Sequence, residues 1–448
     1  MSKNVLVEGK PRIGWMIDGD PDTPEIAVML ELTEESVQLT IATKGLFGRD
    51  DPYARWFGSG VMYGDDPEQT KYRYAPPPNI LFYDHLGSVV LVGCRPTASS
   101  SNSNGAGFGR VVANYAVLGQ REMDIDKING VRTEMPGLAA WTSISSTTTE
   151  VKTDAVSRSR EYSITLRSPD ATRLARAKNL SLQPSWRTSA PTPGTIATHD
   201  VIQLVTETVR AEPWENHLAP HRAVQDLLSL SAWRQFGYSR IEVGKVRPLD
   251  PDTNRRVAPG SGMEWNEVVT HRLRLHEPWK SEPRFLFTFD DIGSAGVERW
   301  IRIRRKYERS MLPLTGVIDQ RGMFAETRVM QTGIAVEALG FQLASEQTPS
   351  GLNSRGQISY NDAMDVIVAD MSVVPVPDVE AWKTRSRLSY MGVKHADNPT
   401  PDILTIANAY RENALMLRYW LASKLGCSQQ VLRDRLDRDP LSGEYRPA

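Results

Sequence analysis

The sequence predicts an α+β protein, with a β-rich N-terminal module over residues 1–296 and an all-helical domain over 297–448. Three observations carry this. Short alternating or β-branched runs separated by turn formers fill the first half of the chain. The apolar spacing turns helical near His221, and again from about Val297 onward. The 448 residues are 40% apolar and 24% charged, which suffices for real cores and excludes global disorder.

In the first module, Ile26–Leu32 and Ser36–Ala42 read as strands, set apart by turn formers such as Asp18-Gly-Asp-Pro-Asp and Asp65-Asp-Pro. Asn79–Asp84 and Ser88–Cys94 are two more, the latter apolar enough to be central. Thr97–Gly109 is almost wholly Ser, Asn and Gly, which predicts a mobile surface loop. Arg160–Arg167 and His199–Glu207 read as strands, with Pro184, Pro191 and Pro193 between them. One helix is predicted over His221–Phe236, from the spacing of Val224, Leu227, Leu228, Leu230 and Trp233. Strand-like pieces at Arg240–Gly244 and Phe285–Phe289 flank a region rich in Pro, Asp and Asn.

Beyond Val297 the residues Trp300, Ile303, Tyr307 and Met311 form one apolar stripe. Met323–Leu343 is a long helix, stopped by Thr348-Pro-Ser-Gly, and Tyr360–Met371 is a third, ended by Pro375 and Pro377. Asp378 caps a fourth helix that runs towards Met391. Asp402 caps a fifth to Leu425, with Gly426 as the residue that ends it. Successive helices without a strand predict a bundle.

Fifty-three Lys and Arg balance fifty-four Asp and Glu, a net charge of −1, so any nucleic-acid contact is local. From Asp319 to Ala448 there are 14 Lys/Arg and 16 Asp/Glu, which confines an RNA site there to a pocket. Cys94 and Cys427 are too few for a disulfide framework or a cysteine-rich zinc site. The start lacks the apolar core of a secretory signal, and no apolar run reaches the roughly 18 residues of a membrane span. A cytoplasmic location is the expectation, and Asn179-Leu180-Ser181 is then not a glycosylation site.

No Walker A loop, H-E-x-x-H, G-x-S-x-G or paired CxxC occurs. Gly105-Ala-Gly-Phe-Gly lacks the spacing of a phosphate cradle. Asp18, Asp20 and Asp22 imitate a calcium loop but meet Thr23 and Met29 where Gly and Glu belong, so an acidic turn is expected. His217 and His221 have zinc-ligand spacing. Pro220 argues that His217 precedes the helix, which gives both a surface or capping role. His271 and His276 would lie on opposite faces of an extended segment, and His85 and His199 stand apart.

His395 is different. It lies in the connection between the fourth and fifth bundle helices, with Lys383, Arg385, Arg387 and Lys394 close by. An imidazole can move a proton near neutral pH, and a guanidinium can grip a phosphate through two donors. The run Arg299–Arg309 could track an RNA backbone, but the expected arrangement is a bundle helix with Trp300, Ile303 and Tyr307 inward and a solvated basic outer face.

The helix Met323–Leu343 with its Glu337-Ala-Leu, the segment Tyr390-Met-Gly-Val-Lys-His-Ala-Asp and the long helix after Asp402 resemble a HEPN domain of the kind that ends ApeA-like bacterial anti-phage proteins. Gly14-Trp15, Val89–Cys94, Ile128–Val131, Leu138–Trp141 and the helix at His221 are similar to the β-rich ApeA N-terminal domain. The resemblance implies a metal-independent endoribonuclease in which the RNA 2′-hydroxyl attacks the adjacent phosphodiester. It also implies no cofactor, a homodimer through the HEPN domain, and RNA, with tRNA one candidate, as substrate. The N-terminal module would sense a phage-derived trigger or restrain the nuclease, and infected cells would be arrested.

Carried over, His395 is the histidine of the family's R-x(4–6)-H pattern. The arginine position falls on Tyr390, Ser389 or Leu388, and the nearest arginine, Arg387, lies one residue beyond. The expected catalytic residues are therefore His395 and Arg387, with Lys394, Tyr390 and Arg385 as RNA or phosphate contacts. The alternative is a degenerate HEPN scaffold that acts through dimerisation or nucleotide binding without cutting.

Overall fold

The computed structural model of the chain describes residues 4–44, 51–58, 60, 62–102, 106–153, 159–190, 192, 194–246, 263–273, 275–276, 281–319, 322–347 and 352–446. The elements begin with β1 (Arg12–Ile17), β2 (Ile26–Leu32), β3 (Val37–Thr43), β4 (Asn79–Asp84), β5 (Gly87–Val92), β6 (Arg95–Ser101), β7 (Gly107–Ala113), β8 (Tyr115–Leu118) and β9 (Lys127–Glu134). There follow α1 (Leu138–Thr142), β10 (Thr147–Thr153), β11 (Ser159–Leu166), β12 (Thr172–Arg173), β13 (Ser181–Ser189), β14 (Ala197–Pro213), α2 (Trp214–Ala232), β15 (Arg240–Val246) and β16 (Met263–Val269). Seven further helices follow among the described residues. They are α3 (Phe289–Lys306), α4 (Glu308–Asp319), α5 (Ala325–Gln347), α6 (Tyr360–Ala369), α7 (Val379–Lys394), α8 (Ile403–Leu425) and α9 (Gln429–Leu436).

These elements form two compact units. One comprises Met1–Glu134, Val205–Leu218 and Tyr238–His276, and the other Met135–Leu204, Ala219–Gly237 and Glu277–Ala448. The boundary read from the sequence at 296/297 falls inside α3.

The first unit is built on an antiparallel sheet in the order β9-β15-β16-β8-β5-β4-β1-β2-β3-β7-β6, with the second half of β14 beside β9. Alternation along β3 turns Val37, Leu39 and Ile41 inward, where they meet Leu30, Phe82, Leu91, Val111 and Trp56. Val89, Val90 and Leu91 of β5 are all fully buried, as their unbroken apolar run implies. The Ser/Asn/Gly stretch is not a loop. Arg95–Ser101 and Gly107–Ala113 pair as a hairpin at the sheet edge, while Asn104 and its neighbours 103 and 105 lie outside the described residues. Polar composition fits an edge strand whose side chains are all exposed, as those of β6 are. Gly109 leaves room for the Phe57 ring, against which any Cβ would collide. Asp18 closes an acidic turn by accepting from the Asp20 amide (2.9 Å) and the Thr23 hydroxyl (2.6 Å).

The helix expected at His221 begins at Trp214 and contains Pro220, and both His217 and His221 are fully buried within it. Neither therefore has the surface or capping role read from Pro220. A proline removes only one amide donor, and the buried Trp214 and Leu218 hold the preceding turn helical. His217 Nδ1 lies 3.1 Å from Thr206 Oγ1.

In the second unit, β10 and β11 form a hairpin and β12 pairs β13. Phe285–Phe289 is not a strand. It is a bent connection that leads into α3 at Phe289; its Leu286 amide donates to Ser231 O (2.8 Å), and the Ser231 hydroxyl donates to Phe287 O (2.5 Å). Thr288 and Asp291 then start α3 with a capping box. Trp300 and Met311 are fully buried and Tyr307 nearly so, but the stripe is shared by α3 and α4, which break at Tyr307.

Helix α8 is the axis of the bundle. From Ile406 to Ala422 it is apolar or paired on every side, and it packs on α3, α5, α7 and α9. The expected caps are in place: Asp378 accepts from the Ala381 amide, Asp402 from those of Leu404 and Thr405, and Gly426 takes the left-handed conformation at φ 99°. The turn region of residues 247–262 and the helix stop at 348–351 lie outside the described residues.

Candidate functional site at the end of α7

Helix α7 owes its position to its small and polar inner face. Ser386 and Trp382 both donate to Asn413 Oδ1 of α8, at 2.7 and 2.9 Å, and Tyr360 of α6 is hydrogen-bonded to Ser386 (2.9 Å). Gly333 of α5 lies against the Tyr390 ring, so closely that any Cβ there would overlap it. The Tyr360 and Tyr390 rings stack with centroids 4.9 Å apart.

The helix ends at His395, which has extended backbone angles and whose amide donates to Met391 O (3.1 Å). The chain then folds back on the last turn. The Asn398 amide donates to His395 O (3.1 Å), Asn398 Nδ2 to Met391 O (3.2 Å) and the Thr400 hydroxyl to Gly392 O (3.3 Å). Gly392 permits this reversal, since a Cβ there would stand 2.7 Å from Pro399 O. The turn that carries the histidine is thereby tied at three points.

The five residues singled out from the sequence divide into two sets. His395 and Arg387 are exposed, and among the described residues their side chains make no hydrogen bond or ion pair. They are eight positions apart, so their Cα atoms stand about 12 Å apart along the axis. Arg387, Met391 and Lys394 share one helical stripe. The other candidates are engaged. Arg385 makes a bidentate pair with Glu412, at 2.9 and 3.0 Å, and Glu412 also accepts from Arg411 (3.1 Å). Tyr390 is buried and donates to Glu337 Oε2 (2.8 Å). Burial, and then that carboxylate, push the phenol above its ordinary range, so it remains a protonated donor. Lys394 Nζ lies 3.6 Å from the same Glu337 oxygen and 4.9 Å from the centre of the Tyr390 ring. Lys383 pairs with Asp365 (2.7 Å) and Glu380 (3.0 Å). Of the cations on this helix, Arg387 alone is uncommitted among the described residues.

Glu337 is the residue whose part was not legible. The sequence offers Glu337-Ala-Leu as a stretch of helix that shares in the resemblance, with no role for the carboxylate, and nothing local signals that it ties α5 to a tyrosine and a lysine more than fifty residues away. Among the described residues no cluster of three or more His, Cys, Asp or Glu could hold a metal, and no helix is long and apolar enough to cross a membrane.

A β-sheet unit, together with a helical unit that carries an exposed histidine just past a bundle helix and an exposed arginine in the middle of it, defines an α+β protein of two parts. The family model described as ApeA N-terminal domain 1 matches residues 11–301. The chain therefore belongs to the ApeA family and is an ApeA-type anti-phage defence protein. No curated protein and no solved structure matches it.

Proposed function

We propose that the chain is a HEPN-type, metal-independent endoribonuclease that cuts RNA, with tRNA one candidate, to arrest infected cells. The observation that carries this is the availability of His395 and Arg387. Both are exposed and without a partner in the described chain, and the histidine sits on a turn tied to α7. His395 would take the proton from the ribose 2′-hydroxyl or position that group for attack on the adjacent phosphorus. The P–O5′ bond breaks as the imidazolium, or solvent, returns a proton to the leaving oxygen, which leaves a cyclic phosphate and a free 5′-hydroxyl. Arg387 would hold the phosphoryl oxygens as negative charge builds on them. The roughly 12 Å between the two Cα atoms suits a composite site in which a second copy of the chain supplies another pair, hence a homodimer through the helical domain. The β-rich module would sense a phage-derived trigger or restrain the nuclease.

A second reading, a HEPN scaffold that dimerises or binds nucleotide without cutting, draws on the position of Arg387 one residue outside the family's usual spacing. Incubation of total RNA with the purified protein and with His395→Ala, in EDTA, separates the two. Cleavage by the wild type that disappears in the variant supports the ribonuclease. Equal cleavage by both removes His395 from the mechanism, and no cleavage by either leaves the scaffold.

A further inference from the structure

The helical unit contains an open cleft of ≈ 690 Å³ lined by residues of α3, α4 and α5 and by Gln357 and Ile358. We propose that this cleft binds a nucleotide of the single-stranded RNA that flanks the cleaved linkage, with Arg305 and Arg309 on its phosphate and Phe341 under its base. The proposal rests on the ribonuclease reading and extends it to residues outside the α7 turn.

Charge is the first argument. Arg305 and Arg309 line the cleft, are exposed, and among the described residues make no hydrogen bond or ion pair. Most other charges of the lining are neutralised in place. Lys306 donates to Glu346 (2.5 Å), which also accepts from the Tyr307 hydroxyl (3.2 Å), and Glu337 holds Tyr390 and Lys394. Glu308 remains, and it lies in the first turn of α4, where the helix dipole favours a carboxylate. Two free guanidiniums then dominate, and each can grip a phosphate through two donors.

Shape is the second. Ile334, Glu337 and Phe341 recur at helical spacing on one face of α5, and Phe341 is 38% exposed where the cleft is open. An aromatic face beside free guanidiniums is the combination that single-stranded nucleic acid uses, through base stacking and backbone charge.

Continuity is the third, and it favours a passing strand over a detached nucleotide. Glu337 lines the cleft and its carboxylate is 3.6 Å from Lys394 Nζ, the residue before His395. The α5 wall of the cleft thus reaches the lysine that precedes the histidine. The expected arrangement of the Arg299–Arg309 run is seen, with Trp300 and Tyr307 buried and Arg305 and Arg309 exposed, and the proposal gives those two exposed arginines a ligand.

The test uses full-length protein carrying His395→Ala, so that RNA survives, and a fluorescent single-stranded oligoribonucleotide titrated at several salt concentrations. Adding Arg305→Ala with Arg309→Ala should weaken binding and reduce the slope of log K against log salt by about 0.7, the amount for the one phosphate no longer neutralised. Adding Phe341→Ala should weaken binding about ten-fold and leave the slope unchanged. Thermal melts serve as a folding control, since all three side chains reach solvent. If both variants bind like their parent while protein with His395 intact cuts RNA, the cleft is overturned and the ribonuclease stands. If the wild type neither cuts nor binds RNA, both fall together.

Discussion

Arg385 and Arg387 lie two residues apart on one helix and should differ completely in what they lose. Replacing Arg385 with alanine removes two charge-assisted hydrogen bonds to Glu412, a buried carboxylate that then retains only Arg411. Hydrogen bonds to charged groups contribute about 1.5–3 kcal/mol each. The Arg385 side chain is 28% exposed, so solvent screens part of this, and a total of about 2 kcal/mol is expected. Arg387 is exposed and unpaired among the described residues, and Arg387→Ala should change stability by less than about 0.5 kcal/mol. Denaturant titration of both variants measures these stabilities, and RNA cleavage reads the role that the ribonuclease proposal gives Arg387. Arg385→Ala should lower the unfolding midpoint, whereas Arg387→Ala should leave it in place and abolish or strongly reduce cleavage. An Arg385→Ala protein as stable as the wild type, or an Arg387→Ala protein that is markedly destabilised, would refute the division of the two arginines.

Three other outcomes are expected. Arg418 is fully buried and donates to Asp439 (2.7 Å), Leu230 O (2.6 Å) and Ser231 O (2.9 Å), so Arg418→Met should cost about 3–5 kcal/mol in equilibrium unfolding. Adding Asp439→Asn should restore part of that loss, because the orphaned charge is then gone. Gly333→Ala should destabilise by about 2 kcal/mol through collision with the Tyr390 ring, more than the roughly 1 kcal/mol that alanine gains in a helix, and a thermal melt would show it. Burial alone would lift the Asp84 carboxyl, but the Arg12 guanidinium and the Leu86 and Gly87 amides hold it below its ordinary value of 3.8. Its stabilising contribution is complete above that value and fades as pH falls through the lower folded one. Acid titration of Asp84→Asn should therefore show a shallower loss of stability below about pH 4 than the wild type.

Much of the bundle was legible because its signals are local. Asp378, Asp402 and Gly426 act within a few residues of themselves, and a cap or a left-handed glycine does the same work in any fold. The same holds for the strands at Ile26, Asn79 and Arg240, where alternation marks one buried face. What failed depends on partners distant in sequence. Polar β6 is a strand because β7 supplies its ladder, and Leu286–Phe287 is a bent segment because Ser231 holds it. Pro220 misled because its local restriction was outweighed by the burial of its neighbours. At the site, the cations crowded around His395 could be counted from the sequence, but not sorted. Glu412, Glu337 and Asp365 claim Arg385, Lys394 and Lys383, and they lie on three other helices.

The closure behind Gly392 also bears on the spacing of the arginine and the histidine. Pro399 and Pro401 occupy the space a Cβ on that glycine would take, so the reversal passes close against the helix. The extra position between Arg387 and His395 lies within the helix, where each step turns a side chain by about 100° about the axis. Arg387 therefore leaves α7 along a different bearing from Leu388, the solvent-facing position at the limit of the family's spacing. Leu388→Arg would place a guanidinium on that bearing with the turn untouched, which separates the direction of the arginine from the fold of the turn.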